Sequence, residues 1–120
     1  MYLLGIDCVQ NRIHITLSGR FDEHQAKALS GELKSRMDEL TPGFYILCDL
    51  TTLEAFDHSA AKPYETIMDL CNEGGVCKII RIIPNPVQNF GLTVMSHFHY
   101  DREIPIVTCS SFQEASEHLE

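Results

Sequence analysis

The stretch FYILCDLTTLEAFDHSAA, residues 44–61, decides the fold. Its first part, Phe44 to Leu50, is apolar almost throughout, as expected of a central strand covered by helices on both faces. A helical pattern leaves the far end, with Ala60, Ala61, Tyr64, Ile67, Met68 and Cys71 turned inward and a stop near NEGG at 72–75. Asp57, His58 and Ser59 therefore fall on an exposed strand-to-helix turn. Pro63 implies that the helix starts nearer Ser59 or Ala60 than Asp57, or is kinked, because a proline deeper in a helix loses a hydrogen bond and clashes with the preceding turn.

Upstream, YLLGIDCV (2–9) and RIHITLSG (12–19) read as two strands. In the second, Ile13, Ile15 and Leu17 alternate with His14, Thr16 and Ser18. Only Gln10 and Asn11 separate the runs, which predicts an opening hairpin. From Glu23 to Leu40, Ala26, Leu29, Leu33, Met37 and Leu40 recur at steps of three and four, one helical face. Glu23 with Lys27 and Glu32 with Arg36 add i,i+4 pairs, and TPG at 41–43 stops the helix.

Downstream, VCKIIRII (76–83) is a fourth strand. Its Lys78 and Arg81, three apart, face opposite sides; each is expected at a partly covered edge, with its stem buried and its charge in water. Asn85, Pro86 and Gln88 form an N-cap, an N1 proline and a capping-box partner, predicting a helix over 86–98. IPIVTC (104–109) is a last strand, at an edge because Pro105 cannot donate to a ladder. SFQE (111–114) opens a short helix packing Phe112, Ala115 and Leu119. The expected order is β-β-α-β-α-β-α-β-α: an α/β fold with a mixed, mostly parallel sheet and about four helices, in one domain spanning 1–120. Ile15, Leu33, Leu47, Ile67, Ile80 and Val107 are expected to share one core.

Composition narrows the function. Hydrophobic residues make up 44% and charged residues 22%, values typical of globular domains. Nine basic against seventeen acidic residues give a formal charge of −8. Nucleic-acid phosphates and anionic lipids are recognised through Lys and Arg, so neither is the expected partner. No apolar run approaches the ~20 residues that span a bilayer, and MYLLGIDCVQ lacks the pattern of a secretion signal; a cytoplasmic chain is expected. Cys8, Cys48, Cys71, Cys77 and Cys109 contain no CxxC pair and read as reduced thiols, most of them small hydrophobes on or beside strands.

ITLSGRFDEHQAKAL, FYILCDLTTLEAFDHSAA and IPIVTCSSFQEASEHL together resemble the STAS domain family of anti-anti-sigma factors, stressosome subunits and sulfate-transporter tails. The resemblance covers nearly the whole chain. It implies a STAS-like fold and a non-enzymatic regulatory module of bacterial-type signalling that binds a protein partner, an anti-sigma factor or kinase-like regulator, through the turn and helix around 57–70. The chain departs from the family at the turn. The acceptor serine of the phosphorylation switches corresponds to His58, their glycine to Ala60, and Ser59 matches only the second hydroxyl position.

For Asp57 and Ser59 the plainest reading is helix capping. The sharper one makes Asp57, His58, Ser59 and Ala60 a docking turn, with Ser59 as a phosphorylation site whose added charge of roughly −1.5 to −2 alters affinity. Catalysis is disfavoured, because His58 and Ser59 as neighbours on a helix diverge by about 100°. His97 and His99 in SHFHYD could share a metal on a strand but diverge on the expected helix. Glu54, Asp57, Glu65 and Asp69 are candidates for an acidic face around the second helix, against the ordinary alternative of solvated carboxylates. No metal or cofactor is expected. The alternative function is a carrier of a lipid or other apolar small molecule, with Phe90, Val94, Met95 and Phe98 lining a pocket under the helix at 86–98 and Gly91 deciding whether it closes.

Overall fold

The computed structural model describes residues 1–83, 99–101 and 103–119. The hairpin forms from β1 (Tyr2–Asp7) and β2 (Arg12–Leu17), paired antiparallel from Tyr2 opposite Leu17 to Asp7 opposite Arg12. Its loop is longer than expected: the Asp7 carboxylate accepts from the Val9 and Gln10 amides, drawing Cys8 and Val9 out of the strand. Asn11 takes a φ of 57°, a left-handed conformation that asparagine tolerates.

α1 (Glu23–Arg36) starts where expected and gives way early to a 3-10 turn at Met37–Glu39. The Glu23–Lys27 pair forms at 2.8 Å. The expected Glu32–Arg36 pair does not: Arg36 turns forward to Glu39, while Glu32 accepts a hydrogen bond from the Tyr2 hydroxyl.

Two strands were not expected. β3 (Gly19–Phe21) and β5 (Leu53–Phe56), on either side of β4 (Tyr45–Asp49), pair with each other in a small parallel ladder apart from the main sheet. A 3-10 turn at His58–Ala60 leads into α2 (Ala61–Gly74), which Gly75 ends with a φ of 93°. β6 (Lys78–Ile82), β7 (Ile106–Cys109) and α3 (Phe112–Glu117) complete the described elements. Among the described residues the order is thus β-β-β-α-β-β-α-β-β-α, with three helices. The helix expected at 86–98, with its pocket residues Phe90, Val94, Met95 and Phe98, and also Gly91 and His97, lies outside the described residues.

The main sheet runs β1-β2-β4-β6-β7 and is parallel except for β1. β4 is central and β7 an edge, as the apolar run and Pro105 imply. Because strand residues alternate between faces, the expected single core divides in two. Ile15 joins Leu33 and Ile67 under α1 and α2, whereas Leu47 and Ile80 pack on the opposite face with Val107, beneath α3. Full burial of one such side chain contributes about 1.5–3 kcal/mol.

The same alternation places Arg81 beside Ile79 on the α1/α2 face, 2% exposed. The expected edge position is wrong because β4 and β7 flank β6 on both sides. Lys78, facing the other way, is half-buried on the same interior strand: its ammonium lies 5.7 Å from the Tyr45 ring centroid and donates to the His118 carbonyl at 3.0 Å, so its charge meets a ring and a carbonyl where an edge and water were expected. In α3, Ala115 is buried but Phe112 is 58% exposed, since as the first helical residue it lies beyond the sheet contact.

Candidate functional site

The turn after β5 is held from three sides. Phe21 and Phe56, paired across the β3–β5 ladder, have ring centroids 5.4 Å apart, and both meet the Tyr64 ring of α2 edge-on at 6.1 and 5.5 Å. The Asp57 amide donates to the Phe21 carbonyl at 2.9 Å. The Asp57 carboxylate accepts from Arg20 at 2.7 Å, and this partner raises the Arg20 pKa further. The Ala60 amide then donates to the Asp57 carbonyl, closing the 3-10 turn.

Neither capping role expected of the turn is filled. No side-chain cap bond is made at the start of the 3-10 turn or of α2. Asp57 is turned away toward Arg20. α2 begins at Ala61, so Pro63 falls in the first turn, where amides have no intrahelical acceptor and the missing N–H costs nothing. Ala60 is fully buried beneath the turn and shapes it from inside. His58 and Ser59 are exposed, and neither side chain has a hydrogen-bond partner among the described residues.

Ser59 opens onto a groove of about 560 Å³ between α1 and α2, lined also by Glu23, Lys27, Ser30, Lys62, Pro63 and Thr66. The four acids expected to form one face do not act together. Asp57 is tied to Arg20, while Asp69 and Glu65 flank the His99 ring at 2.7 and 3.6 Å. The Arg20 pairing depends on two segments more than thirty residues apart, and no local signal could have revealed it. Ser59 and Lys62, by contrast, are three residues apart across the join of the 3-10 turn and α2, and their nearness was readable.

The buried thiols and phenols are held in their neutral forms. Burial pushes the thiols of Cys48, Cys71 and Cys109 up, so they stay protonated and poorly nucleophilic at neutral pH. Burial likewise raises Tyr64 and Tyr100. All five cysteines are free, with Cys8 and Cys77 exposed. Among the described residues no cluster of three His, Cys, Asp or Glu side chains could hold a metal, and no helix is long and apolar enough to cross a membrane.

With this architecture the chain has the SpoIIAA-like, or STAS, fold. It is similar to a DUF3478-family protein from Shewanella loihica described as having a SpoIIAA-like fold, at a TM-score of 0.73 and 17% identity over 99% of this chain and 94% of that one. It is also similar to the Bacillus cell fate determinant SpoIIAA in its phosphorylated form, at 0.60 and 14%, covering 100% of both chains. An anti-sigma factor antagonist from Mycobacterium paratuberculosis matches at 0.59 and 16%, over 99% of this chain and 94% of that one. No protein-family model and no curated protein matches the sequence.

Proposed function

We propose that the chain is a non-enzymatic regulatory domain of the cytoplasm that binds a protein partner through the turn at Asp57–Ala60 and the adjoining face of α2. The observation that carries this reading is the turn itself. The aromatic cluster, the Phe21 carbonyl and Arg20 hold the turn in place, yet His58 and Ser59 are exposed and their side chains have no hydrogen-bond partner among the described residues. A helix start built only for stability places such oxygens on its own free amides. Two of the similar structures are an anti-sigma factor antagonist and the phosphorylated form of SpoIIAA, which supports a regulatory reading of the same fold. Ser59 is the position at which added negative charge would alter docking.

Site-specific photo-crosslinking tests this. A benzophenone amino acid at position 58, irradiated in the producing cell, is expected to capture one protein species in high yield. The same probe at Val9, 91% exposed on the hairpin loop, is expected to capture none of it. Equal capture from both positions, or none from position 58, would overturn the docking reading.

A further inference from the structure

The charges around Ser59 are unusual for this chain. Against a formal charge of −8 carried with only nine basic residues, the α1/α2 groove is lined by two cations and one acid, Lys27, Lys62 and Glu23. The Glu23–Lys27 pair leaves both side chains mostly in water, at 51% and 67% exposure, and such pairs exchange readily for a competing partner. Lys62 has no carboxylate within ion-pair distance among the described residues. Ser59 adds a hydroxyl donor on the same wall, and Pro63 and Thr66 add an apolar floor.

We infer that this groove receives an acidic segment of the protein partner, its carboxylates gripped by Lys27 and Lys62 and met by the Ser59 hydroxyl. The inference rests on the docking reading above and names the chemistry of what docks. The net charge of −8 disfavours approach of a negatively charged segment on average, so two lysines on one groove select position as well as partner. The groove is shallow and open along the helices, which suits an extended peptide carrying side-chain carboxylates. Negative charge placed on residue 59 would lie on the same wall as Lys62 and compete with the incoming acid. That competition explains in electrostatic terms why this position would act as a switch.

The test uses the full chain with a fluorescein-labelled oligoglutamate peptide, followed by fluorescence anisotropy and by amide chemical shifts. Saturable binding is expected, with shifts confined to residues 23–30 and 58–66, and weakening as salt rises. Lys27→Gln combined with Lys62→Gln is expected to weaken it by about tenfold or more. Both positions are exposed, and an unchanged thermal melt verifies the fold of the variant. Ser59→Glu is expected to weaken binding likewise. Absence of binding, shifts scattered over the surface, or full affinity in the double variant would each overturn the inference. If oligoglutamate fails while position 58 still captures a protein, the acidic segment is refuted and the docking reading stands. If oligoglutamate binds in the groove while position 58 captures nothing, the docking reading fails, and with it the assignment of the acid to a partner.

Discussion

α1 and α2 begin side by side and are started by different means. Asp22, extended ahead of α1, accepts the Gln25 amide at 2.9 Å, and Glu23 adds an acid to the first turn. α2 has an aspartate and a serine at its entrance, yet neither caps it; a 3-10 turn feeds the chain in, with the Ala61 amide bonded to the His58 carbonyl. The first start is stabilised locally. The second depends on packing of Tyr64, Ile67, Met68 and Cys71 against the sheet, which leaves its polar side chains available for something outside the domain.

That contrast can be broken most forcefully in the core. Ile67→Ala, at a site 2% exposed, is expected to cost about 2–5 kcal/mol in chemical denaturation. A loss well below that range would mean that packing is not what holds α2. Asp22→Ala is expected to cost about 1 kcal/mol, measured in the same way; no loss would remove the distinction between the two starts.

α3 offers a third start, capped by both partners. The Ser111 hydroxyl accepts the Glu114 amide, and the Glu114 carboxylate accepts from the Ser110 amide and hydroxyl, each at 3.0 Å. Those bonds, the amide first, hold the Glu114 carboxyl below its usual range. Its contribution is therefore complete above the ordinary glutamate pKa and is lost as pH falls through the lowered one. Glu114→Gln should flatten the acid limb of the stability curve, and a variant with the wild-type slope would show that the cap does not titrate with folding.

The smallest effect is expected at the turn. Ser59→Ala should leave the unfolding midpoint unchanged, because the hydroxyl has no partner among the described residues, and Asp57→Asn should shift it little, because the Arg20 side chain of the pair is 70% exposed and such pairs contribute little. Clear destabilisation by Ser59→Ala would restore the capping role. An unchanged midpoint joined to altered crosslinking from position 58 would sharpen the division between folding and docking.

Most of the main frame was legible because its signals are local. Alternation in RIHITL, the apolar run ending at Asp49, the spacing of Ala26, Leu29 and Leu33, and Pro105 before the last strand each place an element without knowledge of its partner. Two misplacements show where local reading fails. Arg81 was given an edge because its charge suggested one, whereas the order of strands puts β6 inside the sheet, between β4 and β7. Asp57 and Ser59 were read as caps because they precede a helix, whereas the carboxylate is drawn off by a residue from a distant segment.

The sequence by itself determined the strands and helices of the main sheet and the presence of a polar turn between β5 and α2, since hydrophobic period and breaker residues act within a few positions of the chain. Only the tertiary structure decided that the core lies on two faces, that β3 and β5 pair, that Arg20 takes Asp57, and that Lys27 of one helix faces Lys62 of the next across a groove beside Ser59. Each of these joins residues far apart in sequence, and their energies depend on distances that no local pattern encodes.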